Sequence, residues 1–234
     1  MSDLQRPLLA IESATLRLSV ALRRADGRLL ERASEAQGQH AEQILPMIDA
    51  LLADAECSLA ELGAVAVSIG PGSFTSLRVG LATAKGLVFA RPCPVVPVPT
   101  LEALAWGARL REDDRPIAAV LDARRGELYA AVFEPVGEGL QTKLADGLFT
   151  PEELGPQLPE GCRVVGEGAS LLAAEYPGPM ESEEATRWPR ASSVAELGQL
   201  RLLAGSTAAM DLAPRYVRRA EAEATRMSSA VEDR

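Results

Sequence analysis

AVAVSIGPGSFTSLRVGLATAKGLVF, residues 64–89, decides the fold class. Residues 64–69 form a short apolar run with two valines, the pattern of a buried strand. Gly70-Pro71-Gly72 stops it, since glycine reaches backbone angles that other residues avoid and proline has no amide to donate. Gly72 is expected to need such an angle. Ser73 is placed to cap the helix that follows, its hydroxyl accepting from an amide one turn on. That helix is apolar around most of its circumference, with Phe74, Leu77, Val79, Leu81, Leu87, Val88 and Phe89 against few polar positions. A surface helix keeps a wide polar face, so this one is expected to be covered twice, by its own sheet and by a partner protein.

A strand, a glycine turn and a helix also make the layout of an anion site, because free amides at a helix start favour phosphate. The stretch is neither a Walker loop nor a GxGxxG fingerprint. On the residues alone it reads first as a tight strand-to-helix connection.

The string GPGSFTSLRVG resembles the GPGSFTGLRIG signature of the bacterial TsaB family, departing at Ser76 and mildly at Val79. LLAIESAT, residues 8–15, is similar to that family's opening LLAIDTST. Asp122-Ala123-Arg124-Arg125-Gly126-Glu127-Leu128-Tyr129 is similar to its DARRGEVY segment, and Pro214-Arg215-Tyr216-Val217-Arg218 to its closing P-x-Y-x-R. The four stretches keep the family's order over about residues 8–218.

The resemblance implies a two-domain actin-like ATPase (ribonuclease H-like) fold of the α/β class, with a smaller, loop-rich second domain. It implies a non-catalytic accessory subunit in the transfer of threonylcarbamoyl to adenosine next to the anticodon of certain tRNAs. The partners it implies are a homologous catalytic subunit (TsaD-like) and a small ATPase (TsaE-like), with tRNA met only through the complex. A homodimer is expected when the partner is missing, and ATP or ADP at the complex interface rather than on this chain alone. The rival readings are a stand-alone ATPase or small-molecule kinase, and, with least chemistry behind it, a peptidase.

The chain of 234 residues is long enough for a large core and for one or two domains. Its 47% hydrophobic and 24% charged content is that of an ordinary globular protein. The formal charge of −9 argues against tRNA binding by this chain alone, because phosphate contacts need clustered Lys and Arg. No apolar run approaches the length that spans a bilayer, and residues 1–7 lack a hydrophobic signal core. Cys57, Cys93 and Cys162 are odd in number and without CxxC, which reads as reduced thiols in a cytoplasmic protein.

In chain order the pattern predicts strands at residues 8–13, 16–22 and 28–35, the last two joined through Asp26-Gly27. A helix at 39–55 follows, with Ile44, Leu45, Ile48, Leu51 and Leu52 on one stripe and Pro46 bending it or setting off its first turn. Ser58 to Glu61 is a capping box before the strand at 64. A strand at 95–98 and a helix capped by Thr100 complete a first domain, residues 1–110. The second, residues 111–219, is expected to hold a hairpin across Arg124-Arg125-Gly126 and a short strand at 163–165. A helix is expected near 170–175, and another, opened by a Ser193–Glu196 capping box, is expected to run to about 204. Residues 220–234 read as a frayed, charged tail. No internal sequence repeat is evident.

Candidate chemistry is sparse. One histidine, His40, rules out any two-histidine motif, and it reads as structural at a helix start. No GxSxG elbow supports a nucleophilic serine. In actin-like ATPases an Asp ends the first strand and helps hold the metal nucleotide; here the position is Glu12, equally readable as a buried acceptor for amides. The nucleotide candidates are therefore Glu12, Ser13, Thr15, Gly70, Gly72 and Ser73. The interface candidates are Ile44, Ile48, Leu51, Leu52, Leu77, Val79, Leu81, Thr83 and Gly86, on two helices that in the family pair with the catalytic subunit. With one histidine and no CxxC, elemental analysis of the purified chain should find no stoichiometric transition metal; one metal per chain would overturn this reading.

Overall fold

The computed structural model describes residues 6–35, 38–109, 114–181, 183–208 and 212–217. Strands β1 (Leu8–Glu12), β2 (Leu18–Arg23) and β3 (Leu29–Ser34) form an antiparallel meander. Helix α1 (His40–Asp54) then leads to β4 (Ala64–Ser68), parallel to β1, and α2 (Phe74–Ala90) leads to β5 (Val95–Val98), parallel to β4. The first sheet thus has the order β3-β2-β1-β4-β5.

After α3 (Thr100–Arg109) the plan is repeated. Strands β6 (Ile117–Arg124), β7 (Glu127–Val136) and β8 (Gly139–Phe149) make a second meander. Past the single-turn helix α4 (Pro151–Leu154), β9 (Arg163–Val165) joins parallel to β6 and β10 (Met180–Glu181) parallel to β9. The order β10-β9-β6-β7-β8 matches that of the first sheet strand for strand. Two such units of α/β make the actin-like ATPase architecture. The short α5 (Glu184–Arg187) and then α6 (Ala191–Leu203) close the described elements.

Because side chains alternate along a strand, β1 and β4 feed two cores at once. Leu9, Ile11, Val65 and Val67 pack with Ile44, Ile48 and Leu51 of α1 and Leu81 and Ala84 of α2. Leu8, Ala10, Ala64 and Ala66 pack on the opposite face with Val194, Ala195 and Leu197 of α6. In the second sheet Ala118, Val120 and Val132 bury Leu154, Leu172 and Tyr176. Its other face, with Ile117, Ala119 and Phe133, receives Leu101, Leu104 and Ala108 of α3. Ala103 and Trp106 of the same helix turn to the core under α6, so α3 is wedged between the two sheets.

Several expectations need correction. The pattern missed β8, the longest strand at 11 residues, because its alternation (Leu140, Thr142, Leu144) is broken by Asp146 and Gly147, so the second unit carries a full five-stranded sheet. Thr100 does not cap α3; it is that helix's first residue, and its hydroxyl accepts from the Gly70 amide at 3.1 Å. Ser193 does not open α6, which begins at Ala191 and buries Ser193. The free donors there are taken by side chains distant in sequence: Ser19 Oγ accepts from Ala191 N at 2.9 Å and the Glu31 carboxylate from Ser192 N at 3.2 Å. Residues 167–172 form a 3₁₀ segment rather than a helix at 170–175, and of the two readings at Pro46 the separate first turn is excluded, since α1 is continuous from His40 to Asp54. Residues 110–113 and the tail from 218 lie outside the described residues.

Helix α6 approaches β4 so closely that a Cβ on Gly198 would stand 2.6 Å from Ala66 Cβ. Gly198→Leu is therefore expected to lower stability by about 1–3 kcal/mol in a denaturant titration, the cost of overpacking a filled core; parental stability would mean that α6 sits further from the sheet.

Candidate functional site

Two turns meet at the open end of the first sheet. The turn between β1 and β2 carries Ser13, Ala14 and Thr15; the turn into α2 carries Gly70 to Ser73. Ser73 N donates to Ala14 O at 2.7 Å, and Ser13 Oγ donates to Ser76 O at 3.0 Å. Gly72 leaves no gap, since a Cβ there would lie 2.3 Å from Ala14 O. Its glycine requirement is thus one of closeness to another backbone; the left-handed angle belongs to Gly70, at φ 109°. Ser73 caps α2, its Oγ accepting from Ser76 N at 3.4 Å.

Beneath the first turn lies Glu12, fully buried. Its Oε1 accepts from Ala14 N at 2.6 Å, while Oε2 has no hydrogen-bond partner. Burial pushes its carboxyl from 4.5 up to about 7, opposed by the Ala14 amide and the Ser68 hydroxyl. His40, the buried first residue of α1, reaches the same turn, with Nε2 3.1 Å from Thr15 O. A carbonyl can only accept, so Nε2 carries the proton. Burial lowers the pKa of this imidazole, and the bond to Thr15 partly restores it.

The facing wall comes from the second sheet. Arg124 and Arg125, in the β6–β7 turn, hold φ of 68° and 59°, a region ordinary side chains rarely occupy. The Asp122 carboxylate steadies that turn, accepting from Arg124 N at 2.7 Å and from its guanidinium at 3.2 Å. Burial raises the Glu167 carboxyl, the Arg124 charge opposes that rise, and burial likewise raises the Tyr129 phenol.

A third strip of chain, residues 212–217, ties the walls together. Arg215 N donates to Ile69 O of the first unit at 2.6 Å, and the Arg215 guanidinium pairs with Asp146 of β8 at 2.7 Å. Tyr216 stacks on Phe74 with ring centres 4.9 Å apart and accepts from Arg78 Nε at 2.9 Å. Together the three strips enclose a cleft of about 450 Å³, lined by Thr15, Gly72, Ser73, Asp122, Arg124, Tyr129, Glu167 and Arg215 among others.

Similarity to known proteins follows this geometry. Residues 33–225 match the family model described as TsaD: tRNA N6-adenosine threonylcarbamoyltransferase. A Haemophilus influenzae protein named tRNA threonylcarbamoyladenosine biosynthesis protein TsaB is 32% identical over 90% of this chain and 93% of its own length. The Bacillus subtilis protein of the same name is 30% identical over 93% of this chain and 96% of its own. The chain belongs to the TsaB family. The Escherichia coli TsaB is 36% identical over a shorter span, 57% of each chain. Among solved structures, YeaZ from Pseudomonas aeruginosa superposes with a TM-score of 0.82 at 27% identity, covering 92% of this chain and all of that one.

Against this TsaB-family scaffold the six nucleotide candidates divide. Thr15, Gly72 and Ser73 line the cleft; Glu12, Ser13 and Gly70 do not. Ser13 is committed to Ser76, and Gly70 is pressed against Arg215 O, which a Cβ would meet at 2.7 Å. The carboxylate that ends β1 in actin-like ATPases would have to reach the cleft to help hold a metal nucleotide, and Glu12 is buried and does not line it, so this position does not fit that group. The rest of the lining includes Asp122, Arg124, Glu167 and Arg215, none of them among the sequence candidates, although two of the four quoted motif stretches contain three of these.

The interface candidates also need correction. Ile44, Ile48, Leu51, Leu52, Leu77 and Leu81 are buried, five of them in the core shared with the first sheet, because α1 and α2 turn their widest apolar stripes inward. Val79 and Thr83 are half-buried and Gly86 is exposed. The large apolar side chains that α1 and α2 leave outside are Leu45 (51% exposed), Phe74 (37%) and Phe89 (83%), none among the nine.

Gly72→Ala should destabilise the chain by about 1–3 kcal/mol in thermal melts, since the new methyl must displace the Ala14 backbone; a parental melting temperature would mean that the two turns are further apart.

Proposed function

We propose that this chain is a non-catalytic accessory subunit of tRNA threonylcarbamoyladenosine biosynthesis, and that it supports a homologous, TsaD-like catalytic subunit. What carries the reading is family membership over nearly the whole chain, with relatives named for that biosynthesis. The cleft supports the accessory role. Its polar groups serve the scaffold: Asp122 holds the Arg124 turn, Arg215 pairs with Asp146, and Ser73 caps α2. No three His, Cys, Asp or Glu side chains among the described residues converge where a metal could sit.

On this reading the partner docks on the outer side of α1 and α2, around Leu45, Val79, Thr83 and Phe89, and a second copy takes that place when the partner is missing. The small TsaE-like ATPase, ATP or ADP, and tRNA join through the complex. The formal charge of −9 fits a chain that does not grip tRNA by itself. No helix among the described residues is long and apolar enough to cross a membrane.

Co-elution of the purified chain with its organism's catalytic homologue tests the proposal. Leu45→Glu and Phe89→Glu should each weaken association by about tenfold or more with the fold intact, as expected for exposed anchors of an interface. Leu51→Glu should instead unfold the chain, because Leu51 is fully buried. Parental affinity in both surface variants would place the interface elsewhere, and turnover of ATP or tRNA by the chain alone would contradict the accessory role.

A further inference from the structure

The turn between β1 and β2 is held from four sides, and two of its holders titrate. From α1 His40 Nε2 reaches Thr15 O, and from α2 Ser73 N reaches Ala14 O while Ser13 Oγ reaches Ser76 O. From β4 Ser68 Oγ accepts from Ser13 N at 3.3 Å. Glu12 closes the ring from below through Ala14 N, the Ser68 hydroxyl also favours its charged form, and its second oxygen is buried without a hydrogen bond. A buried carboxylate with an empty oxygen is a costly charge, whereas a neutral acid tolerates that position.

The other charges near the turn do not relieve it. Arg17 is drawn to Glu35 and Glu184, and Arg78 to Tyr216 and Phe74. Asp122, Arg124 and Glu167 face the turn only across the cleft. Nor can the turn yield silently, since Gly72 sits against Ala14 O with no space for even a methyl group.

We propose that this turn is a proton-keyed latch: closed, it keeps Glu12 as the neutral acid and His40 as the neutral imidazole, and opening it releases a proton from Glu12 and lets His40 take one up. The balance is complete, one carboxyl O–H lost and one imidazolium N–H gained, with solvent as the carrier. Because Ala14 O is the acceptor for Ser73 N, opening the turn also releases the first turn of α2.

The two titrations act with opposite sign. The Glu12 carboxyl is raised from 4.5 to about 7 in the closed form, so its contribution to closure is full below 4.5 and is lost as pH rises to about 7. The His40 pKa is lowered from 6.5, so its contribution is full above 6.5 and is lost as pH falls through the closed-form value. Between 4.5 and 6.5 the two slopes oppose, and there the parent chain is expected to have a flatter pH response than either single variant.

Amide hydrogen exchange at Ser73 and Ser76 reads the latch directly, each rate divided by the intrinsic rate at the same pH. In His40→Gln, which keeps a donor for Thr15 O, opening should grow by up to about tenfold per pH unit between 4.5 and 7. In Glu12→Gln opening should instead grow as pH falls below 6.5. The parent profile should lie between them. Identical profiles in the parent and Glu12→Gln, or slopes of the same sign in both variants, would overturn the proposal. Should either variant not fold, titration of the ¹³C-glutamate-labelled parent decides: an assigned Glu12 carboxyl with a midpoint near 7 supports the latch, and one below about 5.5 refutes it. None of these readouts involves a partner, so the latch can fail while the accessory role stands, and the reverse.

Discussion

The hydrogen bond from Ser73 N to Ala14 O, with Gly72 pressed against the same carbonyl, is the constraint from which the cleft is built. It fixes the start of α2 to the end of β1, so the helix axis and the strand cannot move independently. Gly80 makes a similar close approach nearly two turns into the helix, where a Cβ would lie 2.2 Å from Ser13 Oγ. Small residues at 72 and 80 thus let a helix lie on a turn at main-chain distance, which larger side chains would prevent. Helix α2 lines the cleft at its first residue and faces outward at Phe89, so one rigid element runs from cleft to surface.

Much of this was legible because the relevant interactions are local. The alternation of β2, the Asp-Gly turn and the serine cap of α2 are all set within a few residues. What could not be read depended on partners far along the chain. The start of α6 is set by Ser19 and Glu31, well over a hundred residues away, and a locally plausible capping box lost to them. The direction in which α1 and α2 face was hidden for a related reason. Both helices are apolar on more than one side, and only the position of the first sheet decides that Leu51 goes in while Leu45 stays out. The cleft lies partly in view, since segments 122–129 and 214–218 stand out as strings, but their meeting is a property of the two sheets together.

The second sheet copies the strand order of the first with no repeat evident in sequence. A shared topology needs only that each strand be apolar on the faces it buries, and many sequences meet that condition. What differs is the traffic across the gap. Helix α3 is buried by both units, and Arg215 bonds to one through its backbone and to the other through its side chain. The two sheets are therefore coupled by elements whose removal would expose apolar surface on either side.

The position of α6 has a consequence for synthesis. Leu8, Ala10, Ala64 and Ala66 are among the first core residues made, yet the helix that covers their face comes from residues 191–203. While the chain emerges from the ribosome, that face of the first sheet has only Ala103 and Trp106 of α3 for cover until residues 191–203 have been made. Loop closure over such a separation is slow, and the uncovered apolar strands are open to wrong pairing in the interval. A nascent chain stalled before residue 191 would present that face to chaperones or to its neighbours on the polysome.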